Sequence, residues 1–429
     1  MQVIKYPAVD TWASILQRPV MDTSTLEAKV DTILQDVKAN GDAAVRKYAA
    51  QFDKVTLENF EVQPEAYERA EAALEPALKA AIQQAAKNIT TFHAAQQSTP
   101  EVIATMPGVE CWRKSVGIEK VGLYIPGGSA PLFSTILMLG IPARIAGCKE
   151  VILCTPSNAK GEVHPAILYS AKLVGISRVF TIGGVQAIGA MAYGTATVPQ
   201  VYKIFGPGNQ FVTCAKQLVS KAGLAIDMPA GPSEVAVLAD DACIPDFVAA
   251  DLLSQAEHGP DSQVVLVTTS EKVITDVQAA LNEQLELLPR KDIATGALSN
   301  SRIILVDNMD TAMSMLNAYA PEHLILACSG AYELAGRVTN AGSVFIGNYT
   351  PESAGDYASG TNHTLPTNGY ARAYSGVSLD SFVKKITFQQ ISPAGLQQIG
   401  ATIEAMAAAE GLDAHKQAVS VRLKKINNQ

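Results

Sequence analysis

Short apolar runs that end in glycine or proline turns recur along the middle of this chain, and their rhythm is the strongest constraint on its fold. The first four runs are VGLYIPGG, EVILCTP, RVFTIGG and KIFGPGN. They begin roughly every 25 to 30 residues, and helix-compatible stretches separate most of them. This alternation predicts parallel strands joined by crossover helices, so ligands are expected beyond the carboxyl ends of the strands.

The same rhythm returns in a second set of runs and predicts a second α/β unit. These runs are EVAVLAD, SQVVLVT, SRIILVD and SVFIGNY. The boundary between the two units should fall near DMPAGPSE, residues 227–234, where glycine and proline interrupt the pattern. No internal sequence repeat accompanies the division, which therefore depends on the order of the elements.

Helical patterns flank these two units. One helix is expected from Ser24 and a second from Pro76, each with a single apolar stripe. The stripes consist of Leu26, Val30, Ile33, Leu34 and Val37 in the first helix and of Leu78, Ile82, Ala85, Ile89 and Phe92 in the second. Beyond about Gly376 the sheet pattern fades, and the segment from Ser392 is expected to be helical and too small to fold alone.

Composition restricts the class of protein. At 429 residues the chain exceeds the size at which one core keeps growing, so several compact units are expected. A net charge of −8 without a basic cluster argues against a nucleic-acid partner. No apolar run approaches about 18 residues, which argues against a membrane span. The lack of a signal-peptide pattern and the scattered cysteines favour the cytoplasm.

Four of the six histidines lie in or beside polar, glycine-containing segments, which motivates a metal hypothesis. They are His258, His323, His363 and His415. A helix over residues 247–258 would place Gln255 and His258 one turn apart. Both could then reach one ion, and imidazole is a good zinc ligand, although a solvated helix end produces the same pattern. By contrast, His93 and His164 suit packing or surface positions.

Other polar positions suit chemistry, yet each also suits an ordinary role. Asp356 and His363 lie in PESAGDYASGTNH, which is expected to be a tight loop beside a ligand or a plain surface turn. His415 lies near a predicted helix start, where capping is the usual role. Glu322 and His323 stand just before a predicted buried strand, where they could form an acid/base pair.

Three glycine turns follow predicted strands, namely YIPGG, GGVQAIG and FGPGN. Backbone N–H groups in such turns can approach a phosphate, although any strand-to-helix connection can also contain glycine. None of the three has the spacing GxGxxG, so these motifs alone do not establish NAD binding.

Several longer motifs follow one another across nearly the whole chain. They are YIPGGSAPLFSTILM, FGPGN, IDMPAGPSEV, DLLSQAEHGPDSQ, APEHLI, AGSVF and PESAGDYASGTNHTLPT. Together they resemble the histidinol dehydrogenase family. The resemblance implies a zinc-dependent enzyme that uses NAD to oxidise L-histidinol through L-histidinaldehyde to L-histidine. These are the last steps of histidine biosynthesis, and two NAD are reduced per turnover.

The resemblance also implies roles for individual residues. The zinc ligands, for one Zn²⁺ per subunit, are expected to be Gln255, His258, Asp356 and His415. These four are expected to contact the substrate together with Ser233, His323, His363 and Glu410. NAD contacts are expected at Tyr124, Gln186 and Asn209. Glu322 and His323 match the acid/base pair, in which His323 accepts the alcohol proton and Glu322 activates water that hydrates the aldehyde.

For the fold, the resemblance implies two incomplete Rossmann-like parallel-sheet domains plus small terminal segments in a domain-swapped homodimer. The expected ranges are 1–22 for an N-terminal arm, 23–122 with 234–377 for a first, discontinuous α/β domain, 123–233 for a second α/β domain and 378–429 for a helical tail. The N-terminal helices are thereby expected to join 234–377. The tail is expected to bring His415 to the partner subunit's site.

Two alternatives compete with this interpretation. One is an aldehyde dehydrogenase that forms a thioester through Cys148 or Cys154, although both suit small buried residues and neither stands beside a candidate base. The other is a non-catalytic protein that binds zinc and an imidazole ligand on the same scaffold. The intact Glu322-His323 pair favours an enzyme, and NADH formation from histidinol would separate the two.

Overall fold

The secondary structure alternates between strands and helices through most of the chain. This computed structural model describes residues 1–19, 24–56, 58–127, 131–176, 178–229 and 231–428, apart from the side chains of Ser24 and Thr25. The strands are β1 Gln2–Lys5, β2 Ile103–Met106, β3 Val109–Gly117, β4 Lys120–Tyr124, β5 Glu150–Cys154, β6 Arg178–Phe180, β7 Lys203–Phe205, β8 Ala225–Ile226, β9 Glu234–Ala239, β10 Gln263–Thr268, β11 Arg302–Leu305, β12 His323–Ala327, β13 Ser343–Ile346 and β14 Val383–Ile391.

The helices connect and cover these strands. They are α1 Trp12–Ile15, α2 Ser24–Asn40, α3 Asp42–Tyr48, α4 Pro64–Ala73, α5 Pro76–Ala94, α6 Phe133–Ala146, α7 Pro165–Val174, α8 Gly184–Tyr193, α9 Gln210–Lys221, α10 Pro245–Ala256, α11 Glu271–Leu287, α12 Lys291–Ser299, α13 Met309–Tyr319, α14 Ala331–Ala335, α15 Glu352–Tyr357, α16 Pro393–Ala409 and α17 Asp413–Asn427. Short 3-10 helices cover Val9–Thr11, Tyr370–Arg372 and Leu379–Phe382, and a π-helix covers Ala49–Asp53. Within the described residues, every helix is too short or too polar to cross a membrane.

Two parallel sheets carry the apolar runs that the sequence singles out. One has the strand order β6-β5-β4-β7-β8, and the other has the order β1-β11-β10-β9-β12-β13. Every strand pair within them is parallel. The last strand of the five-stranded sheet ends at Ile226. Apart from β1, the strands of the six-stranded sheet follow from β9, which begins at Glu234. The expectation of a mixed α/β protein with parallel sheets is confirmed.

Helices α2 and α5 begin at Ser24 and Pro76, as predicted, and both belong to the core around the five-stranded sheet. Val30 and Leu34 of α2 share a core with residues of α8, and Ile82 and Ile89 of α5 share one with residues of α6. This packing corrects the expectation that residues 23–122 join 234–377. The physical reason is that α6 and α8 present apolar surfaces that the two stripes cover.

The chain divides into two compact units, and the smaller one corrects the expected helical tail. The larger unit consists of Met1–Ala95 and Ile118–Phe382, and the smaller of Gln96–Gly117 and Val383–Gln429. In the smaller unit, β14 pairs with β3 in antiparallel register, and β2 pairs with the other edge of β3. β14 is exposed along most of its length, so its sequence is rich in lysine and glutamine and lacks the apolar pattern of a buried strand. Helices α16 and α17 follow and pack together.

Candidate active site

The end of α10 positions Gln255 and His258. The helix ends at Ala256 rather than at the predicted His258, because the Gly259-Pro260 pair follows within a turn. Gln255 is fully buried, whereas His258 is exposed and its Nδ1 lies 3.4 Å from Oγ of Ser233. Gln255, at the end of α10, therefore lies in the protein interior, and His258, just beyond the helix, lies where solvent can reach it.

Glu322 and His323 lie at the amino end of β12, beside the amino end of β9. His323 is the first residue of β12 and pairs with Val235, the second residue of β9. This position agrees with the sequence, which places the pair just before a buried strand, and it differs from the general expectation of ligands beyond the carboxyl ends of the strands. Helix α10 follows β9 and packs against β9 and β10, and Gln255 in its last turn lies beside Glu322.

The Glu322 carboxylate accepts a backbone hydrogen bond. Its Oε2 accepts from the N–H of Glu234 at 2.9 Å, and the amide of Gln255 lies 3.4 Å away. The residue is only 6% exposed, and burial raises the pKa of its carboxyl to about 8, against the opposite effect of neighbouring His323. A carboxyl whose pKa lies near neutrality is suited to general base catalysis.

The His323 ring lies among carboxylates. Its Nδ1 is 3.3 Å from the backbone oxygen of Glu234 and 3.6 Å from Oε2 of Glu322, and its Nε2 is 3.5 Å from Oδ1 of Asp356. Burial alone lowers the pKa of His323, but the nearby carboxylates of Glu322, Glu352 and Asp356 outweigh burial and raise it to about 10. Nε2 is buried and has no hydrogen-bond partner among the described residues.

Asp356 lies in helix α15 and not in the tight loop that the sequence predicts. Pro351 directly precedes this helix, where its missing N–H costs nothing because the first turn leaves such groups unpaired. His363 follows in irregular backbone, so the loop expectation holds only for that part of the motif. Asp356 is half-buried, and contact with His323 holds the pKa of its carboxyl below its usual value although burial acts in the opposite direction.

His363 is fixed through both ring nitrogens. Its Nδ1 lies 2.8 Å from the backbone oxygen of Asp356, and its Nε2 lies 3.0 Å from Oγ1 of Thr135 on α6. A carbonyl oxygen only accepts, so Nδ1 carries the proton and Nε2 accepts from the threonine hydroxyl when the ring is neutral. Burial lowers the pKa of His363 and favours this neutral form.

Side-chain donors of three residues converge in a manner that suits a metal ion. One ligand atom each from His323, Glu352 and Asp356 lies within 4.8 Å of the others. The amide of Gln255 also faces Oε1 of Glu352. Nitrogen and oxygen donors of this kind are the ones that Zn²⁺ accepts in enzymes.

Glu410 and His415 belong to the smaller unit. Glu410 follows the last residue of α16, and His415 lies in the first turn of α17. Both side chains are exposed. Their contribution to the site stays a prediction.

A cavity of about 1670 Å³ lies at the carboxyl ends of the five-stranded sheet, as the parallel pattern predicts. Tyr124, Thr155, Thr181 and Asn209, which end or follow β4, β5, β6 and β7, all line it. Its volume exceeds the roughly 300–1,000 Å³ that is typical for a drug-sized ligand. The three residues expected to contact NAD therefore all line this one cavity; they are Tyr124, Gln186 and Asn209.

Each of these three side chains has a defined local role. The hydroxyl of Tyr124 accepts from the N–H of Gly184 at 3.0 Å, and Oδ1 of Asn209 caps α9 by accepting from the N–H groups of its first turn. Nε2 of Gln186 donates to Oδ2 of Asp53 at 3.3 Å. Oε1 of Gln186 is buried and has no partner within the described residues, so it remains free to accept from a ligand.

Comparisons with known proteins agree with one another. The model of the family described as histidinol dehydrogenase matches residues 16–423. A histidinol dehydrogenase from Bacteroides thetaiotaomicron is 62% identical over 99% of both chains, and one from Xylella fastidiosa is 53% identical over 99% of both. The crystal structure of histidinol dehydrogenase from Elizabethkingia anophelis covers 100% of this chain and 99% of its own, at 55% identity and a TM-score of 0.98.

The chain belongs to the histidinol dehydrogenase family. Membership makes it an oxidoreductase and removes the main support for the non-catalytic alternative. The cysteine alternative is also disfavoured, because Cys154 is buried, Cys148 is partly buried, and the environment of each disfavours the reactive thiolate. Cys154 is fully buried, and burial raises its pKa far above the usual thiol value; burial likewise raises the pKa of Cys148 to about 11.

Three residues near the site of this histidinol dehydrogenase were not singled out from the sequence. Glu352 lies in the metal-donor cluster, Thr135 contacts His363, and Asp53 contacts Gln186. Glu352 stands four residues before Asp356, a spacing that places two carboxylates on one helix face. The sequence contains this four-residue spacing, but it indicates a shared helix face only if the segment is helical, and a loop was expected there. For Thr135 and Asp53 the sequence offers no signal, because their partners lie far away along the chain.

Proposed function

We propose that this chain oxidises L-histidinol through L-histidinaldehyde to L-histidine, with two NAD reduced per turnover, in the last steps of histidine biosynthesis. The observation that carries the proposal is the buried Glu322-His323 pair beside converging metal donors, in a chain of the histidinol dehydrogenase family. The six cysteines form no disulfide, which suits a reducing compartment, so we assign the reaction to the cytoplasm.

The donors near Asp356 fit a zinc ion. Nε2 of His323 is buried and has no hydrogen-bond partner among the described residues, and ligand atoms of His323, Glu352 and Asp356 lie within 4.8 Å of one another. Gln255, His258 and Asp356, with His415 of the partner subunit, would hold the metal. Bound there, Zn²⁺ would serve as a template that orients the imidazole and amine nitrogens of the substrate.

The cavity fits NAD. Gln186 offers a buried oxygen that has no hydrogen-bond partner among the described residues, and the cavity lies at the carboxyl ends of parallel strands, where ligands of such sheets bind. Tyr124, Gln186 and Asn209 would contact the cofactor. When bound, NAD accepts one hydride in each half of the reaction.

The protein's own residues move the protons. In the first half, the alcohol O–H gives its proton to Nε2 of neutral His323 as hydride leaves the carbon that bears the hydroxyl. The neighbouring carboxylates raise the pKa of His323 to about 10, and the positive charge of a Zn²⁺ ion held at Asp356 would oppose them and favour the neutral ring. In the second half, a water O–H gives its proton to Glu322 while the water oxygen adds to the aldehyde carbon. The resulting anion of the hydrate then loses the second hydride from that carbon and becomes the carboxylic acid. Glu322 must be ionised for its part, and the backbone N–H of Glu234, which donates to its Oε2, favours that form.

We further propose that the enzyme is a domain-swapped homodimer of two Rossmann-like domains per chain, with sites shared between subunits. The support is the exposure of Glu410 and His415, two polar residues that the family resemblance connects with substrate and zinc. An exposed helix-end imidazole remains free for a ligand role in a second chain. Ser233, beside His258, and His363, beside Asp356, complete the expected substrate contacts.

The test is NADH formation by purified protein with L-histidinol and NAD, before and after chelation. We expect activity that chelation removes and added Zn²⁺ restores. Absence of NADH formation by metal-loaded protein would reject the proposed reaction. Activity that survives complete metal removal would reject the zinc assignment alone.

A further inference from the structure

A buried ion pair joins Lys216 of α9 to Asp227, the residue that follows β8. Their side chains are 6% and 2% exposed. Neither is among the described residues that line the cavity proposed for NAD, so neither is expected to contact the cofactor itself. Removing two charges from water costs about as much as their mutual attraction returns, so such a pair adds little to the free energy of unfolding. Its contacts with the backbone indicate a different role.

Both side chains bind the backbone of Gly206, which directly follows β7. Nζ of Lys216 donates to the carbonyl oxygen of Gly206 at 2.8 Å, and Oδ2 of Asp227 accepts from the N–H of Gly206 at 2.8 Å. Asp227 is itself fixed, because its Oδ1 accepts from the N–H of Met228 and its own N–H donates to the carbonyl oxygen of Ile204. The ion pair therefore holds one residue through both its backbone donor and its backbone acceptor.

Gly206 connects two of the residues that are expected to contact NAD. A Cβ at this position would overlap the carbonyl oxygen of Tyr124, so only glycine lets the two backbones approach so closely. Its φ of +130° also lies in a region that favours glycine. Three residues later, Asn209 caps α9 and lines the same cavity as Tyr124. A shift of Gly206 would therefore move the turn that carries Asn209 relative to Tyr124.

We infer that Lys216 and Asp227 are positioning residues for NAD, which hold Gly206 so that Tyr124 and Asn209 keep a fixed separation in the cavity wall. This inference rests on the proposed function, because it requires NAD in this cavity. Loss of the lysine would leave the Gly206 carbonyl without its donor and a buried carboxylate without its partner. The turn over residues 206–209 would then have to be ordered when NAD binds, and that ordering would oppose binding.

The experiment compares Lys216→Met with a matched control, Lys203→Met, in the full-length protein. Lys203 begins β7, at the other end of the same strand, and its half-buried side chain donates from Nζ to the carbonyl oxygen of Ser381 at 2.8 Å. It is not among the described residues that line the cavity. NAD affinity is measured by calorimetric titration with NAD in the absence of histidinol, so the measurement does not depend on turnover. Thermal unfolding without NAD reports the structural cost of each substitution.

We expect Lys216→Met to weaken NAD binding by about tenfold, which corresponds to the loss of roughly one charge-assisted hydrogen bond. In steady-state assays the KM for NAD should rise, whereas the KM for histidinol should change by less than about threefold, because distant sites are usually independent. Lys203→Met should change NAD affinity by less than about threefold, whatever it costs in stability. Unchanged NAD affinity in folded Lys216→Met would overturn the inference. Equal weakening by Lys203→Met would also overturn it, because it would indicate a general effect of removing a lysine from this sheet.

If Lys216→Met does not fold, the double variant with Lys216→Met and Asp227→Asn replaces it. This variant leaves no unpaired charge, and the asparagine oxygen can still accept from the N–H of Gly206. The Gly206 carbonyl still loses its donor, so weaker NAD binding is expected, and normal affinity would contradict the inference. Failure of the normal protein to bind NAD would reject the NAD part of the proposed function, whereas normal binding that these substitutions leave intact would reject only the positioning role.

Discussion

Replacement of Glu322 by glutamine should separate the two halves of the reaction. The amide has nearly the size of the carboxylate, and its oxygen can still accept the Glu234 N–H that now lies 2.9 Å from Oε2. Gln255, 3.4 Å away, loses at most a weak contact. The side chain should therefore keep its position at the start of β12, and only its capacity to take a proton from water is lost.

The expected decrease in rate follows from the loss of this one proton acceptor. A positioned general base contributes about 10²–10⁴-fold to a rate, which corresponds to about 3–5 kcal/mol of activation free energy. This loss should fall on the oxidation of histidinaldehyde, where water must be activated. Oxidation of histidinol to the aldehyde relies on His323 and should slow by less than about tenfold, since the binding geometry is retained.

The assay supplies histidinol and histidinaldehyde separately and measures NADH formation in a single turnover. Variants must first match the normal protein in zinc content and thermal unfolding. Histidinaldehyde should accumulate from histidinol in the variant. Equal slowing of both halves, or a larger effect on the alcohol, would refute the division of roles between Glu322 and His323.

Three further predictions concern metal, subunits and pH. Chelation should abolish turnover while the circular dichroism spectrum is unchanged, because the hydrophobic cores around both sheets contain none of the proposed metal ligands. Unfolding on chelation would contradict this prediction. His415→Ala and His258→Ala homodimers should both be nearly inactive, yet their co-refolded mixture should recover about a quarter of normal activity, since half the dimers carry one intact site. No recovery, with normal protein refolding well, would exclude shared sites. Glu322 is active as a base when deprotonated and burial raises its pKa to about 8, so aldehyde oxidation should accelerate as pH rises through that value. A flat profile there would count against Glu322 as the base.

The parallel sheets were predictable because buried parallel strands are apolar throughout and separated by helices of regular length. β9, β10 and β12 are completely buried, and each coincides with an apolar run in the sequence. The exposed antiparallel strand β14 lacks that signal, since its residues face solvent and their partners in β3 lie more than 250 residues earlier. The packing of α2 and α5 was likewise unpredictable, because an apolar stripe shows that a helix is covered but not by which surface.

The site was predictable as a set of residues but not as an arrangement. Tyr124, Gln186 and Asn209 follow strands of one sheet, so their common cavity agrees with general rules for parallel sheets. Glu322 and His323 lie at the amino end of a strand of the other sheet, as their place just before a predicted strand implies, but the approach of Gln255 to Glu322 depends on the path of α10. The partners of His363 and Gln186 come from distant segments, and sequence spacing holds no information about them.

The most direct test of the account is the stoichiometry of the complete reaction. Limiting L-histidinol is incubated with zinc-loaded protein and excess NAD until absorbance is constant, and the products are identified. The account predicts two NADH for each L-histidinol consumed, with L-histidine as the product and no free aldehyde at the end. One NADH per histidinol with the aldehyde as final product, or no NADH at all, would contradict it.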